Sequence, residues 1–186
     1  MRIAVYGGSF NPLHTGHLAI MKYLVGEGGF DCVYLIVSPK NPLKDGISSA
    51  SGQARYEAAT EAVKRHFHNG EVKVDGIELT MPEPHYTIRT LDALREREPD
   101  NEFTMVMGAD NLADIRRWRD YRRILTEYGA TVYPRSGHDL DIIREGLMKE
   151  DPSYRIDILD AETVDISSTA IRDAIAAGQD PSAWLM

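Results

Sequence analysis

Arg2-Ile3-Ala4-Val5-Tyr6-Gly7-Gly8-Ser9-Phe10-Asn11-Pro12-Leu13-His14-Thr15-Gly16-His17 follows Met1, and the order of residue types in this stretch decides the fold. Residues 2–6 form a short β-branched and aromatic run, which predicts a strand that Gly7-Gly8 stops. From Gly16, apolar residues Leu18, Met21, Leu24 and Val25 recur at helical spacing until Gly26, Gly28 and Gly29 end the helix. Strand, glycine loop and helix then repeat outward. Val33–Val37 is continuously apolar, as a strand buried on both faces must be. Pro39 and Pro42 open a polar loop through Ser51, with a helix expected from about Gln53 to Phe67. Val72, Val74 and Ile77 suggest a strand, followed by a Pro-rich loop over Met81–Pro84 and a helix over Thr87–Arg97. Phe103–Met107 reads as another buried strand, Ala109–Tyr128 as mostly helix and Ala130–Tyr133 as a strand. A helix over His138–Lys149 and a strand over Arg155–Leu159 come next. The final helix opens near Ser167–Thr169 and runs to Ala177, with Gly178 as its C-cap. Alternating apolar strands and helices predict an α/β fold: one doubly wound parallel sheet covered on both sides, a single domain over residues 1–186. Ligands of such sheets bind at the carboxyl ends of the strands, which directs attention to the loops after residues 6, 38, 80, 107 and 159.

Composition narrows the function. A chain of 186 residues hides roughly 70% of its unfolded surface and needs no covalent staples. Its formal charge of −8 disfavours a general duplex-DNA binder, which needs a basic face; no nucleic-acid partner is expected. Hydrophobic and charged contents of 42% and 27% are ordinary for a globular protein, and no apolar stretch approaches the roughly 20 residues of a membrane span. The first residues reach glycine too early for a signal-peptide core. Cys32, the only cysteine, lies in the apolar run 31–37, where a buried structural thiol is expected rather than a nucleophile or a zinc ligand. A reducing, cytoplasmic compartment is expected.

Two stretches carry chemistry. In the first loop, Gly7, Gly8, Ser9 and Phe10 let backbone approach a ligand closely, and the following helix N-terminus suits phosphate. His14 and His17, three apart, fall on one face if the turn is already helical, and two imidazoles on one phosphate would stabilise charge that develops during transfer. The competing readings are an ordinary turn and two satisfied polar histidines. A zinc site is disfavoured by the lack of a cysteine or matched carboxylate nearby, so no protein-held metal is expected. In the second stretch, Ile166-Ser167-Ser168-Thr169-Ala170-Ile171-Arg172, three hydroxyls crowd a helix start with an arginine one turn in. One hydroxyl suffices for an N-cap; three, with Arg172, suit a phosphate cradle.

Both stretches resemble signatures of the nucleotidyltransferase superfamily: His-x-Gly-His at residues 14–17 and Ile-Ser-Ser-Thr-x-x-Arg at residues 166–172. The resemblance implies a Rossmann-like fold, with His14, His17 and Arg172 catalytic. The ATP site would comprise Gly7, Gly8, Ser9, Phe10, His14, His17, Gly108, Asp110, Ile166, Ser167, Ser168, Thr169 and Arg172. Between the signatures, patches from residue 3 to about 175 are similar to bacterial nicotinate-nucleotide adenylyltransferases. These patches are the Pro39, Asn41, Pro42 and Lys44 loop, Arg55, His85-Tyr86-Thr87-Ile88-Arg89-Thr90-Leu91, and Gly108-Ala109-Asp110-Asn111-Leu112 with Trp118. That family transfers AMP from ATP, with associated Mg²⁺, to nicotinate mononucleotide, giving deamido-NAD and pyrophosphate. Asn41, Lys44, Tyr86, Thr87 and Trp118 would then hold the acceptor. Four of the residues named here also have plainer readings: Asp110 as an N-cap, Lys44 as an exposed lysine, Trp118 as core and Thr87 as a helix cap. Leu43 and Arg119 depart from the family, which often has histidine and an aromatic residue there; Arg119 suits a carboxylate. The alternatives are an adenylyltransferase for nicotinamide mononucleotide or phosphopantetheine, a fragment of a class I aminoacyl-tRNA synthetase, and a non-catalytic nucleotide sensor. A homo-oligomer stays open.

Overall fold

The computed structural model describes residues 1–39, 51–161 and 166–186. Six strands, β1 (Arg2–Gly8), β2 (Cys32–Val37), β3 (Val72–Asp75), β4 (Glu102–Gly108), β5 (Ala130–Tyr133) and β6 (Ile156–Ile158), form one sheet in the order β3-β2-β1-β4-β5-β6. Every pairing is parallel. The chain order therefore reverses between β1 and β4, the switch point of a Rossmann-like doubly wound sheet. Register opens a cleft there. β1 pairs with β4 only as far as Tyr6, whereas Gly7 and Gly8 continue along β2 opposite Ile36 and Val37.

Side chains alternate across the sheet with the two-residue strand period. Ile3 and Val5 of β1 join Tyr34, Phe103 and Met105 in one buried layer, under the Ile88, Leu91 and Leu94 face of α4 (Thr87–Arg97). Ala4 and Tyr6 join Val33, Leu35 and Val106 in the other, against Ile20, Met21 and Leu24 of α1 (Thr15–Gly26) and Ala59, Ala62 and Val63 of α2 (Gly52–His66). Cys32 is buried, its thiol facing the Gly70 carbonyl at 3.4 Å, and burial pushes that thiol up from its ordinary range.

Three expected elements differ. Ile77 is not part of β3: Gly76 breaks the edge strand, the Asp75 carboxylate takes the Ile77 amide at 2.9 Å, and Ile77 starts the short helix α3 (Ile77–Thr80). Ala109–Tyr128 is not one helix. It divides into α5 (Ala109–Ala113), a 3-10 turn (Ile115–Arg117), α6 (Tyr121–Arg123) and a π turn (Ile124–Tyr128). The break lies at Trp118, which is extended, and at Asp120, which adopts the left-handed φ of 51°. His138 precedes α7 (Leu140–Glu150), because Asp139 is the better cap and accepts the Ile142 amide at 3.1 Å. The last helix, α8 (Ser168–Ala176), ends before Gly178, whose φ of 77° is the left-handed geometry that glycine accepts without strain.

Candidate active site

Below the β1–β4 opening the glycine loop turns tightly. A Cβ on Gly8 would lie 3.0 Å from the Phe10 ring, and Phe10 itself holds a left-handed φ of 45°. Its ring is buried, edge-on to His17 at 5.1 Å and to Tyr6 at 5.5 Å, so the side chain packs the loop from inside. Arg55, buried at the start of α2, fixes the loop from below. One guanidinium nitrogen donates to the Ser9 carbonyl at 2.6 Å and another to the Pro39 carbonyl at 2.9 Å.

The loop ends at His14, the extended residue capping α1. The structure stacks the His14 and His17 rings, their centroids 3.6 Å apart and their planes 25° from parallel. The His14 amide donates to Nδ1 of His17 at 3.2 Å. An imidazole that accepts at Nδ1 keeps its proton on Nε2, so His17 presents an N–H outward. His14 is 2% exposed and its Nδ1 has no hydrogen-bond partner among the described residues. Burial, with the nearby Arg135 guanidinium, lowers His14 to about 4; burial, then His14 and Arg135, holds His17 well below 6.5. The pair is thus neutral at pH 7, two donors rather than two cations.

Arg135 escaped the sequence reading. It follows β5, lies over the Tyr133 ring at 5.4 Å from its centroid, and shares its field with both histidines, Tyr6 and Asp110. Burial and the adjoining Tyr133 hydroxyl keep the Tyr6 phenol well above its ordinary range. The signal was available: Arg135 stands after a predicted strand, and the carboxyl-end rule applied to residue 133 reaches it.

The second signature closes over the first. Ser168 Oγ donates to the Pro12 carbonyl at 3.0 Å, and Arg172 donates to the Asn11 carbonyl at 2.7 Å and to Thr169 Oγ1 at 3.1 Å. Ser167 is the N-cap of α8, its Oγ accepting from Ala170, so this hydroxyl takes the ordinary role. Ile166 lies just ahead, half-buried. Gly108 ends β4, where a Cβ would meet Asp110 Oδ1 at 2.5 Å and the Tyr133 ring at 3.1 Å. Asp110 does not cap α5, since that position belongs to Gly108; its side chain is exposed and within the electrostatic reach of Arg135.

A cavity of about 500 Å³ continues from Gly7, Gly8 and Ser9 to a far wall of Tyr86, Thr87 and Trp118. Thr87 does not cap α4; Tyr86 holds that position and is 44% exposed. Trp118 packs on the core and also lines the cavity. Arg117 and Arg119 flank it; Arg119 faces Asp120 at 3.6 Å, and the Arg117 guanidinium makes no hydrogen bond or ion pair among the described residues. Asn41 and Lys44 lie outside the described residues. Among the described residues no cluster of three histidine, cysteine or carboxylate groups could hold a metal ion, and no helix is long and apolar enough to cross a membrane.

The cytidylyltransferase-like family model matches residues 5–174. A probable nicotinate-nucleotide adenylyltransferase of Porphyromonas gingivalis is 36% identical over 185 residues, covering 100% of this chain and 89% of the relative. One from Flavobacterium johnsoniae is 34% identical over 190 residues, covering 99% and 94%. Among solved structures, nicotinic acid mononucleotide adenylyltransferase of Plasmodium falciparum complexed with NaAD superposes with a TM-score of 0.81 at 19% identity, over 99% of this chain and 90% of that one, a likeness of fold. By sequence over nearly its whole length, the chain belongs to the cytidylyltransferase-like family and, within it, to the nicotinate-nucleotide adenylyltransferases.

Proposed function

We propose that residues 1–186 act as one adenylyltransferase domain that transfers AMP from ATP to nicotinate mononucleotide, giving deamido-NAD and pyrophosphate in NAD biosynthesis. The observation that carries this reading is the stacked, neutral His14–His17 pair at the sheet's switch point, with Arg135 beside it and an aromatic-walled cavity leading away. An acceptor phosphate oxygen attacks the α-phosphorus of ATP in line; the bond to the bridging oxygen breaks and pyrophosphate leaves with that electron pair. The attacking phosphate is already anionic, so no protein base or nucleophile is required, in keeping with the buried Cys32. Catalysis is positioning plus preorganised charge. His17 Nε2–H and His14 donate to the α-phosphate, while Arg135, Arg172 and the hydroxyls of Ser168 and Thr169 meet the leaving phosphates. In this reading Arg172 and Ser168 exchange the carbonyls of Asn11 and Pro12 for phosphate oxygens.

Imidazole, guanidinium and hydroxyl groups suit phosphate, and Asp110 is the carboxylate closest to them in charge coupling. Mg²⁺ arriving with ATP would be held by phosphate oxygens and water, supplying charge neutralisation. Asp110 would accept from the ribose hydroxyls. Trp118 would lie against the pyridine ring, with Tyr86 and Thr87 at its carboxylate and Asn41 and Lys44 toward its phosphate.

Pyrophosphate release with Mg-ATP and, separately, nicotinate mononucleotide, nicotinamide mononucleotide or phosphopantetheine tests the reading. Release with the first substrate alone is expected. Release with one of the others in its place reassigns the acceptor. Silence with all three, in folded protein that binds ATP, overturns the reaction in favour of a nucleotide sensor.

A further inference from the structure

The first amide of a helix has no partner within the helix and is ordinarily met by a cap, water or a ligand. In α1 that amide belongs to Thr15, and it is occupied by protein from the other end of the chain: Thr15 N–H donates to the Trp184 carbonyl at 2.8 Å. Beside it, His14 and Leu185 form an isolated antiparallel β-bridge. The segment that does this is itself anchored. A turn delivers it, with the Trp184 amide on the Pro181 carbonyl at 2.9 Å and the Ser182 amide on Asp180 Oδ1 at 3.0 Å. Arg65, in the last turn of α2, donates to the Met186 carbonyl at 2.9 Å, and the Met186 side chain packs on the α1–α2 core layer. Residues 184–186 therefore bridge α2 and the N-terminus of α1, directly at the residue whose backbone amide also fixes the His17 ring.

We infer that Trp184–Met186 is a positioning element for the reaction, a β-strap that sets the place and orientation of the His14–His17 pair through the main chain of His14 and Thr15. The inference rests on the proposed role of the two histidines. The chain of contacts is short: Trp184 carbonyl to Thr15 amide, His14 backbone to His17 Nδ1, His17 Nε2–H to the reacting phosphate. A bond made at backbone level leaves substrate affinity to other groups, whereas the angle of the hydrogen bond to an α-phosphate oxygen depends on it. Small misplacements of that kind act on turnover more than on binding.

Thr15→Pro isolates the strap. Proline at the first helical position keeps α1, and its restriction on the preceding residue agrees with the extended His14 at φ −142° and ψ 170°. The substitution removes the N–H that meets Trp184. A chain ending at Ala183 is the second variant. In both, kcat should fall about tenfold or more while KM for ATP stays within about threefold. The ¹⁵N signals of the His17 ring, which in the whole chain should report a proton on Nε2 because Nδ1 accepts the His14 amide, should move toward a tautomer mixture. Unchanged kcat and unchanged His17 signals in a folded variant overturn the strap, as does a rise in KM for ATP that accounts for the whole loss of kcat/KM. If Thr15→Pro fails to fold, the shortened chain decides by the same readouts. Should the whole chain release no pyrophosphate, the reaction has failed instead, and the His17 tautomer still tests the strap.

Discussion

Arg172 and Ser168 each donate to a carbonyl of the first loop, His14 binds His17, and Arg55 grips Ser9 from beneath. At the other end of the cavity, Arg117 has no such partner among the described residues, Tyr86 is exposed, and Arg119 reaches only its neighbour Asp120. The phosphate end is thus prebuilt from interlocked groups, buried at His14 and Arg55 and half-buried at Ser168 and Arg172, and the acceptor end is a partly open wall. Preorganisation suits the end where charge develops, because donors already in place need no reorganisation at the moment of reaction. An open wall suits the end that only sorts substrates.

Substitutions at the two ends should therefore differ in size and in kind. The largest effect is expected for His17→Ala. Turnover should fall about 10²–10³-fold, as for loss of an oxyanion donor, with the thermal midpoint little changed; initial rates and a melt of the same sample check both, and wild-type turnover would remove His17 from the chemistry. Arg55→Ala should act on the frame instead. Orphaning the carbonyls of Ser9 and Pro39 should cost about 1–3 kcal/mol, read as a lower urea midpoint. An unchanged midpoint would show that the loop holds itself. Acid should loosen the same end. Between pH 7 and 5.5 an unfolded chain protonates its histidines near 6.5, whereas folded His14, lowered to about 4, stays neutral. The unfolded state binds more protons, so stability declines as pH falls through that window; equal urea midpoints at the two pH values would contradict the depressed imidazole. Smallest is Arg117→Ala, where only KM for the acceptor should rise, by a few-fold, with stability within about 0.5 kcal/mol. A large fall in kcat there would erase the contrast between the ends.

What sequence alone reveals follows the same division. Local pattern suffices where an element answers only to its own residues: α4 and β5 fall on the expected boundaries, Thr87–Arg97 and Ala130–Tyr133. It fails over Ala109–Tyr128, where a left-handed Asp120 and a π turn interrupt good helix formers because Trp118 must reach the cavity wall while Ile115, Ile124 and Leu125 stay buried. The His14–His17 pair is legible because its three-residue spacing is local. Arg135 lies in Tyr-Pro-Arg-Ser-Gly, which reads locally as a turn; only its place after the strand ending at Tyr133 marks it, and the sheet order then sets β5 beside β4. The strap is illegible in principle, since no local signal ties Leu185 to His14. The same holds for Arg55, whose role depends on two carbonyls of distant loops.

Ser168 and Arg172 reach residues 156 and 161 positions earlier in the chain. Such separations make the closure of the phosphate site an event of high contact order, slower to form than the helices around it. A chain emerging from its amino end completes the first loop within 17 residues, yet that loop lacks its facing wall until α8 has been made. Folding and competence are therefore separated in time. The sheet through β5 can assemble while the site is still half a site, so a nascent chain carries no finished nucleotide cradle before its last helix arrives.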